Sequence, residues 1–347
     1  MAMLFRTSDS SAYVAQRFVP LSVPLFILVF LSSCEAAGAE SATFLAAREK
    51  YDRREYLAAM ADAQKAVAED ENHATYRHLY GKTLLALKQF TDAELQLRKA
   101  LQLDSKKAEY HYSLATLLLE QRNIAEDEYA AMGLRGGTVK TGREKEVAEV
   151  LSRTVELDPS HLKARLHLGR TYFDLGKFDL SEAQFRAILQ QDPGFQWAHY
   201  HLAVLWLSRG AVGKAIREYE KEAELFPNNA QTRFELGELL LKSGAVGSAL
   251  VHLTAANQAD SLLPDVHFAL AKAYRDSGNL QQAIREANRC LELDRRFPDA
   301  HYLLSSLYRA VGNQEKARQH SQMFEKLKGE IKQLEDKFRK DAPAVDK

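Results

Sequence analysis

The feature that most constrains this chain is a sequence period of 34 residues, which begins at Glu40 and continues to Ile331. Such a period is typical of a repeat protein, in which each unit packs only on its neighbours. Each unit reads as two amphipathic helices joined by a turn, so the sequence predicts an all-α chain. The predicted units are 40–73, 74–107, 108–161, 162–195, 196–229, 230–263, 264–297 and 298–331.

Two kinds of small residue recur at fixed positions, here called places and counted from the first residue of each unit. Glycine at the fifteenth place of the last five units permits the positive φ that ends a helix, as at Gly176 and Gly244. A small residue at the eighth place would let the two helices of a unit approach closely. The eighth-place residues are Ala47, Gly81, Ala115, Gly169, Ala203, Gly237, Ala271 and Ser305.

These units resemble the tetratricopeptide repeat family over residues 40–331, in segments such as Leu168-Gly169-Arg170-Thr171-Tyr172 and Leu157-Asp158-Pro159. The resemblance implies a right-handed α-solenoid of about eight helix pairs with a C-terminal capping helix. The chain departs from the family at the fourth place, where tryptophan is frequent in the family. The residues found there are Arg77, His111, Arg165, His199, Arg233, His267 and His301.

The third unit is longer than the others because of an insert near 124–143. Its glycines, Lys140 and Thr141 resemble a phosphate-binding loop, but Val139 precedes the lysine and no strand leads into the segment. We expect a loop between the two helices of this unit, with one or two helical turns near 126–132. A contact function and a tolerated addition both stay open for it.

Apolar residues continue past the last unit at spacings of three and four. They predict that residues 332–340 finish a capping helix, followed by a tail at 341–347. The same spacing is compatible with a short coiled coil, which is the less favoured alternative. The apolar residues are Phe324, Leu327, Ile331, Leu334 and Phe338.

The first 33 residues are typical of a signal peptide, with an apolar run from Phe18 to Leu31 that is short for a membrane-spanning helix. This run ends in Leu31-Ser32-Ser33-Cys34, which resembles the cleavage motif of bacterial lipoproteins. That resemblance implies lipidation of Cys34, a linker at 34–39 and an exported protein of the cell envelope. Glu35 mildly favours the outer membrane. Cleavage after Ala39, giving a soluble secreted protein, and an uncleaved anchor are the alternatives.

Several function classes lack the residues that they need. Lys+Arg and Asp+Glu balance at 47 each, so the chain has no broad basic field for nucleic acid. Neither G-x-S-x-G nor H-E-x-x-H occurs, so we expect no catalysis, metal or cofactor. The periodic histidines lie on successive helices, too far apart to share one ion. Cys290 occupies a place that is alanine in other units, which predicts a buried small side chain.

The family resemblance also implies a partner-binding groove on the first helices, at places two, five, nine, twelve and thirteen. The aromatic and arginine side chains there are residue types that dominate binding energies. Aromatic residues at the fifth place could equally pack against the next unit, and that alternative stays open. The predicted groove residues are Tyr112, Lys163, Arg170, Phe173, Trp197, Tyr200, Phe234, Phe268, Arg275, Tyr302 and Arg309.

The sequence therefore predicts a non-catalytic scaffold or assembly factor that holds a protein or peptide segment in its groove. Anchoring by lipid on Cys34 would place it in a bacterial envelope, facing the periplasm. A soluble secreted peptide-binding module and a non-catalytic subunit of an enzyme complex are the alternatives. The sequence contains no feature that specifies an oligomeric state.

Overall fold

The computed structural model describes residues 40–131 and 142–341. These residues form sixteen α-helices and no strand, and consecutive helices pair into eight units, which confirms the predicted all-α solenoid. The first helices are α1 (Ala42–Asp52), α3 (Ala74–Ala86), α5 (Ala108–Ala131), α7 (Leu162–Asp174), α9 (Ala198–Ser208), α11 (Ala230–Lys242), α13 (Pro264–Asp276) and α15 (Pro298–Ala310). The second helices are α2 (Tyr56–Glu69), α4 (Phe90–Leu103), α6 (Glu144–Leu157), α8 (Phe178–Gln191), α10 (Val212–Leu225), α12 (Val246–Ala259), α14 (Leu280–Leu293) and α16 (Gln314–Asp341).

The two helices of a unit meet at a contact that we call the seam, formed by the eighth-place residue and the second-helix side chain opposite it. All eighth-place residues are buried, as the sequence predicts. A Cβ atom on Gly169 would lie 2.5 Å from the ring of Phe185, and one on Gly237 would lie 2.6 Å from Leu253. These distances are shorter than van der Waals contact, so these two pairs require glycine at the eighth place.

In seven of the eight units, a residue with positive φ at the fifteenth place ends the first helix. Glycine takes this conformation in the last five units, for example Gly176 at φ 70° and Gly278 at φ 82°. In the first two units Arg54 at φ 63° and Lys88 at φ 59° take it instead. A side chain with a Cβ atom is strained in this region, so these two turns are less favourable than the others.

The sixteen helices form two layers. In five of the seven adjacent pairs the first helices of neighbouring units touch one another, as α1 touches α3 and α11 touches α13. Within the described ranges, no two second helices of neighbouring units come as close. The layer with the closer spacing must lie on the inside of a curved stack, so the first helices form the inner, concave layer.

In five units the fourth-place residue, which replaces the tryptophan frequent in the family, joins three segments of its unit; these residues are Arg77, Arg165, Arg233, His267 and His301. The side chain bonds a backbone carbonyl six residues earlier and a side chain nineteen residues later, on the second helix. Arg77 donates to the Glu71 carbonyl at 2.6 Å and to Gln96 at 2.9 Å. His267 repeats both contacts, with Ser261 and Glu286. We call this arrangement the fourth-place tie.

Two helices extend beyond the regular unit. Helix α5 continues to Ala131, so the start of the insert lengthens the first helix where we expected mainly a loop. Alanine and glutamate, both strong helix formers, are frequent there. Helix α16 runs for 28 residues from Gln314 to Asp341, and its Leu327 is buried.

The remaining predictions about the ends and the insert fall outside the described ranges. These are the signal peptide, the lipidation site Cys34, residues 132–141 of the insert and the tail after Asp341. Among the helices that are described, none has the length and apolar character needed to cross a membrane.

Candidate partner-binding face

We call the surface of the first helices that is turned away from the second helices the inner face. Four predicted groove residues meet there around His167 of α7. The ring centroid of Tyr112 lies 6.3 Å from that of His167, and the charges of Lys163 and Arg170 both act on the His167 imidazole. Arg170 also acts on the hydroxyl of Tyr200. Helices α5, α7 and α9 thus contribute to one neighbourhood.

Two histidines in this neighbourhood are neutral at pH 7. Burial and the charge of Arg170 lower the pKa of His167 to about 4. Burial, Arg170 and His167 lower the pKa of His201 to about 3. The positive charge around His167 therefore comes from Arg170, Arg122 and Lys163, because the imidazoles of His167 and His201 carry none at neutral pH.

Tyr200 connects α9 with the next unit. Its ring is half-buried and lies 5.4 Å, centroid to centroid, from the buried ring of Tyr219. Burial and the nearby carboxylate of Glu235 raise the Tyr200 pKa to about 12. On α11, Gln231 donates a hydrogen bond of 2.8 Å to Glu235. The fifth-place tyrosine of this unit therefore packs against α10 of its own unit and also lies near polar groups of α11 in the next unit.

Trp197 lies just before α9, not on it, and has the left-handed backbone conformation with φ 74°. Its backbone N–H donates to the buried carboxylate of Glu222 at 2.7 Å, and that of Tyr200 donates to the same group at 3.3 Å. This carboxylate satisfies two amides that the start of a helix leaves unpaired. Trp197 therefore leaves the stripe expected from its second place, because a cap from α10 fixes a different backbone there.

The side chain of Trp197 lines an open cleft beside the inner face. The cleft has a volume of about 500 Å³ and lies between the start of α9 and the turn that joins α10 to α11. Leu225, Phe226 and Pro227 supply apolar walls, and Asn228 lies at the same turn. The Trp197 ring also meets that of Tyr200 edge to face, with centroids 5.3 Å apart. The cleft therefore adjoins the neighbourhood of Tyr200.

Three predicted aromatics are half-buried and serve as contacts between helices. Phe173 meets Phe178 edge to face at 5.5 Å, and the ring of Phe268 lies 5.1 Å from that of Phe297. Phe234 packs against a core cluster that contains Leu253. The packing interpretation therefore accounts for much of the surface of these three rings.

The last three predicted residues lie on the seventh and eighth units and are exposed. Tyr302 is 63% exposed, and its ring lies 5.3 Å from that of Phe324 on α16. Arg275 donates to Asp276 at 2.8 Å, and Arg309 donates to the Ser305 hydroxyl at 3.4 Å. These side chains line the C-terminal end of the inner face, two or more units from His167.

Sequence reasoning missed three polar residues of this region, His201, Glu222 and Glu235. The recurrence of histidine at the sixth place, in His167 and His201, was a usable signal. The two glutamates gave no such signal, since glutamate is common on exposed helix surfaces. Their burial depends on how the helices pack together, which no local pattern shows.

Three histidines of the fourth place, His199, His267 and His301, each have a structural partner nineteen residues later on the second helix. In the part of the chain that the structure describes, no group of three His, Cys, Asp or Glu side chains could hold a metal ion. Cys290 is buried on α14.

Comparisons with known proteins agree with the repeat architecture. One tetratricopeptide repeat model matches residues 81–132, 148–194 and 166–230, and another matches residues 240–307, which together cover more than half of the chain. A search of curated proteins gave no significant match.

Two solved structures illustrate the likeness in fold. A tetratricopeptide repeat protein from Parabacteroides merdae ATCC 43184 is 13% identical with a TM-score of 0.53, over 76% of this chain and 97% of that one. A chain of the APC/C hetero-tetramer Cut9-Hcn1 is 14% identical with a TM-score of 0.51, over 80% and 52%. At these identities the likeness shows the fold alone. The family matches go further: this chain belongs to the tetratricopeptide repeat family.

Proposed function

We propose that this chain is a non-catalytic scaffold that binds a segment of a partner protein along its inner face. The observation that carries the proposal is the meeting of side chains from consecutive units on that face. Arg170 of α7 acts on Tyr200 of α9, and Tyr200 in turn lies beside Gln231 and Glu235 of α11. A segment lying across the first helices would contact several units at once, which is how repeat proteins obtain an extended binding surface.

The chemistry of the inner face suits a mixed polar and aromatic partner segment. Tyrosine, tryptophan and arginine dominate binding energies because they combine large contact area with directed polar groups. Lys163, Arg275 and Arg309 are exposed there, and Tyr302 is 63% exposed. Tetratricopeptide repeats bind protein partners, and the match to that family supports the same general role here.

A charge reversal at an exposed inner-face position tests this proposal with little risk to the fold. Lys163→Glu should weaken capture of protein partners from detergent-solubilised envelopes, measured by affinity purification and mass spectrometry. Arg217→Glu, on the exposed surface of the second helix α10, is the matched control and should leave capture unchanged. Equal capture by both variants, or loss in both, would contradict binding on the inner face.

The anchor is a separate part of the proposal and rests on the sequence. Leu31-Ser32-Ser33-Cys34 resembles a lipoprotein cleavage motif, so we place the acyl chains on Cys34 and the protein in a bacterial envelope, facing the periplasm. With Glu35 after the cysteine, the outer membrane is the favoured location. Cys34→Ser should move the protein from the membrane fraction to the soluble fraction. An unchanged distribution between the two fractions would contradict lipidation of Cys34. A mature N-terminus at Glu40 would establish a soluble secreted module instead.

A further inference from the structure

The surroundings of Glu235, on the first helix α11, differ from those of Glu109, Asp174 and Glu238 on the same layer of helices. Glu235 is half-buried on α11, and its polar contact is the amide of Gln231 at 2.8 Å. It makes no ion pair with any residue in the described ranges. Three other carboxylates of the first helices each pair with a cation: Glu109 with Lys82 at 3.2 Å, Asp174 with Arg122 at 2.7 Å and Glu238 with Lys272 at 2.6 Å.

An unpaired, partly buried carboxylate makes the folded state less stable. Burial and the nearby charge of Glu238 raise the pKa of Glu235, whereas Gln231 and Lys242 lower it, and burial dominates. At neutral pH, the ionised Glu235 side chain therefore lowers the stability of the folded state. A neutral side chain such as glutamine would fill the same space without that cost, so packing alone does not explain a glutamate here.

The groups around Glu235 form a set of acceptors beside an aromatic ring. Gln231 uses its amide nitrogen toward Glu235, which leaves its carbonyl oxygen as an acceptor. The Tyr200 hydroxyl is close enough to both side chains for each to shift the tyrosine pKa. Along α11, Gln231, Glu235, Glu238 and Lys242 follow one another at spacings of four, three and four residues, so they lie on one stripe of the helix.

We propose that Glu235, with Gln231 and Tyr200, receives an arginine side chain of the partner segment. The inference rests on the proposed function, since it names the chemistry of one position in the segment held on the inner face. Charge complementarity favours a cation over any other occupant, because the Glu235 carboxylate has no ion-pair partner in the described ranges. A guanidinium fits better than an ammonium, since its planar fork of donors can bond a carboxylate and a carbonyl together and can stack on an aromatic ring.

The probe is a blocked pentapeptide, acetyl-Ala-Ala-Arg-Ala-Ala-amide, and its matched control carries the neutral isostere citrulline. Binding is followed by the fluorescence of Trp197, which lies against Tyr200, in a Trp206→Phe background that removes the second tryptophan of the chain. We expect saturable binding of the arginine peptide that is at least about tenfold tighter than that of the citrulline peptide. No saturable binding, or equal binding of the two peptides, would overturn the inference.

Two variants separate recognition from structure. Glu235→Gln should abolish the preference for arginine and keep or raise the melting temperature, because it removes an unpaired carboxylate. Glu238→Gln should keep the preference and lower the melting temperature, because it breaks the pair with Lys272. A Glu235→Gln protein that melts lower, or that still prefers arginine, would show that the carboxylate has a structural role only.

The outcomes also separate this inference from the proposed function. If Lys163→Glu weakens partner capture and the peptides show no preference, the inner face binds its partner without an arginine at Glu235. If Lys163→Glu leaves capture unchanged, the proposed function fails, whatever the peptides show.

Discussion

The seam and the inner face belong to the same helices but follow different rules. At the seam, a small eighth-place residue faces a buried second-helix side chain in unit after unit, as Gly169 faces Phe185 and Gly237 faces Leu253. On the inner face, the residues differ in type, charge and exposure between units. Tyr200 is half-buried against Tyr219, whereas Tyr302, at the same place of the last unit, is 63% exposed.

This difference separates what holds the stack together from what it can bind. A seam residue is constrained by the distance between two helices, so its substitution changes stability. An inner-face residue is constrained by its neighbours only where another unit covers it. Residues free of that constraint are the ones that can be changed without cost to the fold, and they are the best probes of binding.

The largest expected effect is a truncation at the seam. Phe185, 1% exposed, should lose about 3–5 kcal/mol of unfolding free energy on replacement by alanine, because a large cavity is left behind. Tyr302→Ala, on the inner face, should change stability by less than about 0.5 kcal/mol. Urea unfolding followed by circular dichroism measures both. Similar losses in the two variants would break the distinction between seam and inner face.

Adding one methyl group at the seam should have the next largest effect. Gly169→Ala places a Cβ atom 2.5 Å from the Phe185 ring, so we expect a loss of about 1–3 kcal/mol from overpacking. Gly247→Ala on α12 is the control, because its Cβ meets nothing within 4 Å. It should be neutral or gain up to about 1 kcal/mol through helix propensity. A neutral Gly169→Ala would show that the seam can spread.

Acidification should act in opposite directions on two fourth-place ties. The hydrogen bond from His267 to Glu286 raises the pKa of His267. The stability that this tie contributes is therefore complete at a pH below the pKa of histidine in the unfolded chain, about 6.5, and is lost as pH rises through the folded pKa. Burial lowers the pKa of both His301 and His320, whose Nδ1 atoms lie 2.9 Å apart; His301 and Lys316 lower that of His320 further. That tie is complete above about pH 6.5 and weakens as pH falls.

Hydrogen exchange, corrected for intrinsic rates, tests this between pH 7.5 and pH 5.5. Amides of α15 and α16 should lose protection on acidification, and those of α13 and α14 should gain it. His320→Glu gives His301 the same type of partner as His267 has, so it should reverse the change in α15 and α16. Loss of protection in that variant would rule out the histidine pair as the cause.

The smallest expected effect concerns the turns. Lys88 has φ 59° at a place where later units have glycine, so Lys88→Gly should stabilise the protein by up to about 1 kcal/mol. Gly244, at φ 79°, is the reverse case, and Gly244→Ala should destabilise by a similar amount. Thermal melting measures both. A loss of stability in Lys88→Gly would show that the lysine side chain contributes more than its backbone strain costs.

Much of the fold could be predicted from the sequence because the constraints that set it are local and repeated. The spacing of Gly176 and its counterparts predicts the positive φ that the structure has. Small residues such as Ala203 predict the close approach of two helices, and Ala203 is fully buried. Eight occurrences of one pattern leave little room for another architecture.

The inner face could be predicted only in part because its geometry depends on contacts between helices, made by residues that are far apart in the sequence. Trp197 leaves its expected stripe since Glu222, 25 residues away, bonds its backbone amide. Tyr200 proves half-buried against Tyr219, so its replacement by alanine would disturb packing as well as binding. No local pattern marks Glu235 as unpaired, because pairing depends on which cations the neighbouring helices bring close.

Site-specific photo-crosslinking in cells tests the central claim most directly, since it reports which face of the stack touches a partner. A photoreactive residue is placed at Lys163 or Arg309 on the inner face, or at Glu220 or Arg285 on second helices, all of them exposed. We expect discrete crosslinked partner bands from the two inner-face positions and none from the two second-helix positions. Crosslinks from the second helices, with none from the inner face, would contradict this claim.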